Sequence, residues 1–413
     1  MIVLRRCDTI NKINKVERHY IRKSNELWKE FDDLCFKSKN LYNYANYIQR
    51  QKFIKGEKIY KHTELDKLIN KSPPYKELGS QSSQRLLRLL EKNWKSFFIA
   101  IKDYSKHPNK YLEKPRIPKY KKKDGRYICE LKNIQFRIEN GYIYFSLKRL
   151  NKYSDKIKTN INTKVLGIRI IPKNNIYILE IVYEKEMQEL KEYNNKVCGI
   201  DLGVDNLATL TNNLGVQPIV INGRPLKSIN QYYNKKKASI QSNIKKRHNK
   251  NWCNKLNKLQ VKRDSKIDYY LHCASKSIIN YCDGLDITLI VVGLNKTWKQ
   301  KSNLVKSANQ NFISIPYDKL INMITYKANE KGIKVITHEE SYTSGCSFLD
   351  MEEICKNTYN KSRRIERGLF KSNNGQLINS DVNGSYNIIR KVVPNAFSNG
   401  IEGVYLHPIR VSV

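Results

Sequence analysis

The stretch VCGIDLGVDNLATLT, Val197 to Thr211, decides how this chain is read. Val197-Cys198-Gly199-Ile200 is an apolar run of β type that ends in Asp201. A glycine-containing turn follows, and Leu207 to Leu210 forms a second β-type run. Runs of this kind joined by a short turn predict paired strands. Asp201 then stands at the end of a buried strand, where its carboxylate can face a metal ion. A second carboxylate has a comparable setting far downstream. In INSDVNGSYNIIRK, Asp381 opens a helix-like segment just after Ile378. Taken alone, Asp381 reads equally well as a helix cap.

Working outward, the charge points to a polyanionic partner. Lys and Arg total 77 against 38 Asp and Glu, a formal charge of +39 over 413 residues. Such a charge favours polyanions. Lysines and arginines that neutralise phosphates also release counterions, which makes binding strong and salt-dependent. A Lys- and Asn-rich compositional bias accounts for part of the excess. Two acidic residues in strand-end and helix-start settings, inside so basic a chain, point to metal-dependent chemistry on nucleic-acid phosphates. No apolar run approaches the ~18 residues of a membrane span, and MIVLRRCDTINK is too short an apolar start for a signal peptide. Nine cysteines are scattered without a CxxC pair. That predicts reduced thiols in a cytoplasm rather than a disulfide framework.

The length predicts two or three domains. Residues 20–108 read as mostly helical, with Leu27, Phe31, Leu34, Leu41 and Tyr44 at helical spacing. Past Ser72-Pro73-Pro74 a second helix runs from about Ser80 to Tyr104, its apolar stripe made by Leu86, Leu87, Leu90, Trp94, Phe97, Phe98 and Ile101. Residues 115–185 hold the basic segment PRIPKYKKKDGRY, then β-type runs at Ile134 to Ile138, Tyr142 to Leu147, Val165 to Ile171 and Ile176 to Tyr183. Asn140-Gly141 and Asn174-Asn175 are hairpin turns. A small antiparallel barrel or sheet is expected, joined by a first strand, Met1 to Arg5, from across the helical insertion. From residue 195 onward, strands at 198–200, 207–211, 219–221, 288–292 and 334–337 alternate with helices, the pattern of an α/β domain. The basic stretch from Lys227 to Cys282 is expected to be a helical hairpin broken near His248-Asn249.

An RNase H-like nuclease holds two divalent ions roughly 3.5–4 Å apart, with hard carboxylate oxygens as ligands. It uses acidic residues on the first strand, on or just beyond a middle strand, and on the last helix. Asp201 fits the first place and Asp381 the last.

The motifs GIDLGVDNLATLTNN, NGRPLKSINQYYNKK, DYYLHCASKSII, YTSGCS and SDVNGSYNIIRK, in this order, resemble the TnpB family. These are RNA-guided DNA nucleases of insertion sequences, related to Fanzor proteins and type V CRISPR effectors. The similarity is strong from Cys198 to Pro408 and weaker in SKNLYNYANYIQR and KPRIPKYKKKDGRY. The resemblance implies a multidomain α/β protein. Its parts are a wedge-like β-barrel from residues 1–20 and 110–190, a helical recognition insertion at 21–109, and a RuvC nuclease domain at 195–413. It implies a guide RNA from the same locus, a double-stranded DNA target, a short flanking motif, and two Mg²⁺ ions (Mn²⁺ as a substitute) in a bacterial, nucleoid-associated setting. Monomer and dimer both stay open.

Two departures from the family pattern matter. Where relatives carry a glutamate after a strand, LIVVGLNKTWKQ has Gly293. HEESYTS offers Glu339 and Glu340 instead. Some lineages carry a glutamate just before the YTS element, so Glu340, two residues before Tyr342, is preferred, with Glu339 in reserve. Strand alternation lets only one of these neighbours face the metals. The catalytic and metal-holding set is therefore Asp201, Glu340 and Asp381. In the zinc-finger-like insertion, 338–376, only Cys346 and Cys355 remain, with Lys371 and Asn374 near the places of the other cysteines and His338 the nearest histidine. A structural zinc needs four donors, so no zinc is expected, and DMEEICKNTYNKSRRIERG, residues 350–368, reads as a small metal-free helical knob. The competing function is an RNA-guided DNA-binding repressor without cleavage, motivated by Gly293 and the lost zinc ligands. A transposase that joins DNA ends is disfavoured, because no His-hydrophobe-His motif with a tyrosine nucleophile is present.

Two further sets of residues complete the expectations. Ser80, Gln81 and Gln84 open a helix that suits phosphate contact and adenine readout, so they are candidates for the flanking motif. Lys119, Lys121, Lys122, Lys123, Lys235, Lys236, Lys237, Lys245, Lys246 and Arg247 are candidates for RNA and DNA backbone contact.

Overall fold

A computed structural model of the protein describes residues 12–295, 314–366, 368–398, 400 and 405–413. The strand expected at Met1 to Arg5 lies outside the described residues. Two compact units divide the chain, one of them Lys12–Glu186 and the other holding Met187–Val413.

In the unit Lys12–Glu186 the elements run β1 (Lys12–Ile21), α1 (Leu27–Ile54), α2 (His62–Ile69), α3 (Pro73–Leu78), α4 (Ser80–Lys106), β2 (Cys129–Lys132), β3 (Phe136–Glu139), β4 (Tyr142–Phe145), α5 (Lys148–Asn151), β5 (Val165–Lys173) and β6 (Ile176–Glu186). Among the described residues, the expected barrel consists of an antiparallel four-stranded sheet, β1-β6-β5-β2, and a separate β3–β4 hairpin. β1 pairs with β6 from Lys12↔Glu186 to Ile21↔Tyr177, so four helices are inserted in the chain between sheet strands. The two hairpin turns form because Asn140, Gly141, Asn174 and Asn175 all take positive φ, which asparagine and glycine tolerate best. The stripes of α1 and α4 meet the sheet in one core containing Phe31, Leu34, Leu90, Trp94, Ile170 and Leu179. Trp94 is fully buried, and its indole N–H donates to Asn46 Oδ1 at 3.1 Å. Asp32 ties α1 to the strands by accepting from Arg126 at 2.9 and 2.7 Å and from the Tyr177 hydroxyl at 2.6 Å.

The second unit continues with β7 (Val197–Leu202), β8 (Asn206–Asn212), β9 (Ile219–Asn222), α6 (Arg224–His248), α7 (Asn254–Gly284), β10 (Leu289–Gly293), α8 (Tyr317–Asn329), β11 (Lys334–His338), β12 (Leu369–Lys371), β13 (Leu377–Asn379), α9 (Ser380–Val392) and β14 (Ile409–Val411). Its six-stranded sheet has the order β11-β10-β7-β8-β9-β14. β10 runs parallel to both β7 and β11, while β8 is antiparallel to β7 and β9. Strands covered on both faces read as continuous apolar runs, which is why VCGI and LIVV show no polar alternation. Cys198, Ile200 and Leu202 of β7, with Ile290 and Val292 of β10, face a core shared with α7 and α8. Val197, Leu289 and Val291 face the opposite core, with Val382, Tyr386 and Ile389 of α9. The α6–α7 hairpin breaks where expected, at Asn249, in the left-handed region with φ 48°.

The insertion 338–376 departs from the expected helical knob. Among its described residues it consists of turns, a single 3-10 turn at Lys361–Arg363, and the start of the β12–β13 hairpin. With the small and polar run Thr343-Ser344-Gly345-Cys346-Ser347 and no apolar helical stripe, the segment has nothing to hold a helix against the domain. The Cys346 and Cys355 thiols both approach Thr358 Oγ1, at 3.3 and 3.5 Å. All eight described cysteines are free thiols.

Candidate active site

Strand alternation sets the site. With Cys198, Ile200 and Leu202 committed to one core, Val197, Gly199 and Asp201 face α9. The approach is close: a Cβ on Gly199 would stand 2.4 Å from Ser385 O, and one on Gly384 would stand 3.0 Å from Asp201 Oδ2. Ser385 fixes the helix there, with its hydroxyl 2.9 Å from Thr211 Oγ1 and 3.2 Å from Thr209 O.

Asp381 lies in the first turn of α9, but it is not the cap. Asn379 is, accepting from the backbone N–H groups of Asp381 and Val382 at 3.0 and 3.2 Å. The Asp381 carboxylate is thus free of the helix start. It accepts from Asn206 Nδ2 at 2.7 Å and meets Arg364 Nη2 at 3.4 Å.

Glu340 arrives from the segment after β11. Asn383 and Asn387, four apart on one face of α9, pin the chain just beyond it. Asn387 donates to Thr343 O at 3.0 Å and to Cys346 O at 2.8 Å, and Asn383 donates to Cys346 O at 2.9 Å. Lys391 Nζ donates to Glu339 O and Ser341 O, on either side of Glu340. The Glu340 carboxylate accepts from Asn295 Nδ2 at 3.3 Å through Oε1, while Oε2 is buried with no hydrogen-bond partner. Glu339 is exposed, and its carboxylate accepts from the Ser341 hydroxyl at 2.8 Å. Of the two neighbours, Glu340 alone turns into the cluster.

Electrostatics show that the three carboxylates share one field. Burial pushes the Asp201 carboxyl well above the usual carboxylate range, and the charges of Asp381 and Glu340 push it further, against the pull of Arg364. Burial raises Glu340 to about 7, with the Lys391 ammonium opposing. Tyr317, buried on α8, is raised by burial and by the charges of Asp201 and Glu340; its hydroxyl donates to Gly203 O at 2.8 Å, in the turn after Asp201. A divalent cation would fit beside Asp201 and Glu340, because their raised carboxyls and the buried Glu340 Oε2, which has no hydrogen-bond partner, gain from a hard positive ligand. Among the described residues, no three His, Cys, Asp or Glu side chains converge as ligands of a single ion would. Asp381 is engaged by Asn206 and Arg364 instead.

The other expected residues are dispersed. Ser80 is exposed at the start of α4, where Gly79 is the N-cap, and Gln81 is half-buried. Gln84 is already engaged, accepting from Lys132 Nζ at 3.2 Å. Lys132 is depressed by burial and by the neighbouring charges of Arg88 and Arg85, and Arg85 Nε is buried without a partner. This cationic group beside Gln84 was not foreseen, since α4 and β2 are far apart in sequence. Lys119, Lys122 and Lys123 are exposed, but Lys121 turns inward over the rings of Tyr42 and Tyr127, at 4.7 and 4.4 Å. On α6, Lys235, Lys236, Lys245, Lys246 and Arg247 are exposed, and Lys237 is half-buried near the Tyr233 ring. From Arg224 to Arg263 the hairpin has thirteen Lys and Arg and no Asp or Glu. Asn206, Asn295, Arg364 and Lys391 were also not anticipated; no sequence signal marks them, because only the packing of distant segments brings them to the carboxylates.

Comparison with known proteins matches this arrangement to a family. The OrfB_IS605 model, described as a probable transposase, matches residues 180–299, and the Cas12f1-like TNB domain model matches residues 317–388. The chain is 28% identical over 273 residues to the CRISPR-associated endodeoxyribonuclease Cas12f2 of a Micrarchaeota archaeon, covering 62% of this chain and 47% of that protein. The match therefore spans about half the length of that relative. It is 24% identical over 393 residues to the TnpB-like protein ORF457 of Acidianus two-tailed virus, covering 86% of this chain and 82% of that one. In fold it is similar to the Cas12f1 chain of a complex with sgRNA and target DNA, with a TM-score of 0.55 at 14% identity over 88% of this chain and 82% of that chain. Two family models matched in tandem over residues 180–299 and 317–388, with a TnpB-like relative aligned along most of its length, support a TnpB-family protein.

Proposed function

We propose that the protein is an RNA-guided DNA endonuclease that cuts beside a short flanking motif by metal-dependent hydrolysis. The observation that supports this reading is that Asp201, at a strand end against α9, feels the charges of Asp381 on that helix and of Glu340 on the segment after β11, three residues far apart in sequence. Asp201, Glu340 and Asp381 would hold divalent ions, with Mg²⁺ the expected species. Such ions supply an activated water and stabilise charge on the phosphate oxygens. Asn206 orients Asp381, and Asn295 orients Glu340. Arg364, whose side chain is 45% exposed, sets a guanidinium beside Asp381, suited to a phosphate oxygen. The basic α6–α7 hairpin and the lysines at 119, 122 and 123 suit RNA and DNA backbones, which are read by shape and charge. A guide RNA from its own locus and a double-stranded DNA target are the proposed partners.

The binding-only alternative was motivated by a glycine at position 293. That space is filled by the Glu340 carboxylate, so the glycine no longer argues against cleavage. The test is reconstitution of the full chain with RNA transcribed from its own locus. The complex is given a plasmid library carrying the guide-matched target beside a randomised flank, in Mg²⁺. Guide-dependent double-strand breaks confined to one class of flank are expected. Guide-dependent binding without breaks would overturn the nuclease reading in favour of repression.

A further inference from the structure

The insertion 338–376 folds back on itself beside α9. The Asn360 backbone N–H donates to Gly345 O at 3.0 Å. Glycine permits the approach, since a Cβ at 345 would stand 2.4 Å from the Tyr359 ring. The fold-back brings together two cysteines that lie nine residues apart in sequence. Cys346 Sγ and Cys355 Sγ both meet Thr358 Oγ1, at 3.3 and 3.5 Å. The Cys346 thiol also donates to the Cys355 carbonyl at 3.6 Å, so it already touches the backbone of the other cysteine.

The two thiols differ in access and in chemistry. Cys346 is fully buried, and its carbonyl is fixed by Asn383 and Asn387 of α9. Cys355 is half-buried, so a small solute reaches it first. Hydrogen bonds from the Thr358 hydroxyl and from the backbone N–H groups of Thr358 and Asn357 hold the Cys355 thiol below the usual cysteine range. A thiol held as its thiolate is the one that attacks oxidants. The neighbouring thiols Cys198 and Cys282 are a contrast: both are fully buried, and burial raises Cys198 well above its usual range.

We propose that Cys355 and Cys346 are a peroxide-reactive thiol pair, with Cys355 the attacking thiolate and Cys346 the resolving thiol, closing to a disulfide that staples the insertion. The Cys355 sulfur attacks one oxygen of a hydroperoxide. The O–O bond breaks, the leaving oxygen takes a proton to become water (an alcohol from an organic hydroperoxide), and Cys355 becomes a sulfenic acid. The Cys346 sulfur then attacks the Cys355 sulfur. The S–S bond forms, the S–O bond breaks, and the Cys346 proton leaves with that oxygen as a second water. Two thiols are oxidised and one peroxide is reduced. Thr358 is a positioning residue, because both sulfurs stand on its hydroxyl.

The experiment treats the full-length, guide-free protein with an equal amount of hydrogen peroxide. Free thiols are then blocked with iodoacetamide, and each cysteine is followed by peptide mass spectrometry. Cys253 and Cys273, also half-buried, are the references within the same chain. A Cys346–Cys355 disulfide should be the main product, forming about tenfold faster or more than any oxidation of Cys253 or Cys273. Cys346→Ser should leave a Cys355 sulfenic acid that dimedone traps, whereas Cys355→Ser should leave Cys346 reduced. Thr358→Val should slow the reaction, and Thr358→Ser should keep it near the parent rate. The oxidised parent should melt above the reduced one, because a cross-link constrains the unfolded chain. Oxidation of Cys355 no faster than that of Cys253 and Cys273 would overturn the proposal. Oxidation of Cys355 in the parent to a sulfinic acid, with Cys346 still reduced, would overturn it too.

Discussion

At the scale of single residues, the cluster sets function against stability. Glu340 is raised from 4.5 to about 7 by burial. Between those values the folded state binds more protons than the unfolded state, so stability falls as pH rises from about 4.5 to about 7 and levels off above. Glu340→Gln removes the buried charge. The metal-free variant should therefore melt a few degrees higher than the parent at pH 8 and at nearly the same temperature near pH 4. Differential scanning fluorimetry in a chelating buffer checks this. A lower melting temperature at pH 8 would show that the charge is compensated within the protein. Adding Mg²⁺ should reverse the order at pH 8, because an ion bound only by the folded parent stabilises it by mass action. In cleavage, Glu340→Gln should be severe and Glu339→Gln mild, since the Glu339 side chain faces solvent.

The same residues mark how far sequence reading goes. Asp201 and Asp381 were legible because each sits in a local pattern, a strand end and a helix start. Glu340 was singled out only through the resemblance to lineages that carry a glutamate just before the YTS element. The cap reading of Asp381 failed for a local reason: Asn379, two residues earlier, takes the free N–H groups. Arg364, Lys391 and Asn295 were invisible, because each acts across a distance in sequence that no periodicity spans.

At the scale of elements, α4 is the test case. Among the described residues, the side chains of Ser80 and Gln81 at its start make no tertiary hydrogen bond, whereas Gln84 accepts from Lys132. Phosphate contact at this end would gain from Arg85 and Arg88, whose charges depress Lys132 and which form no salt bridge among the described residues. Gln81→Ala with Gln84→Ala should change the preferred flank in a randomised library. Arg85→Ala with Arg88→Ala should weaken binding to all flanks about equally, since phosphate contacts carry no sequence. A flank preference unchanged by the glutamine pair would remove them from the reading. Element types and the α6–α7 break followed from periodicity and turn chemistry. The insertion at 338–376 did not, because its turns are held by side chains from α9 rather than by a pattern of its own.

At the scale of the whole molecule, the charge of +39 is the dominant property. The thirteen cations from Arg224 to Arg263 have no acidic residue among them. The slope of log affinity against log salt should be about −0.7 to −0.9 for each phosphate neutralised. Replacing Lys235, Lys236, Lys245, Lys246 and Arg247 by glutamine should reduce that slope and weaken unrelated guide RNAs alike, read by fluorescence titration at several salt concentrations. A flat salt response would make the hairpin ordinary solvated surface. Composition points to a polyanionic partner, but not to the route a nucleic acid would take, because charge says nothing of shape.

The central claim is that three distant carboxylates form one metal-dependent cutting site. The most direct measurement is guide-dependent cleavage of a matched plasmid in Mg²⁺ by the parent and by Asp201→Ala, Glu340→Gln and Asp381→Ala, with guide-RNA affinity measured on the same samples. The account predicts that all three variants bind the guide nearly as the parent does and lose cutting by about two orders of magnitude or more. Near-normal cutting by any one of them, with the fold intact, would contradict it.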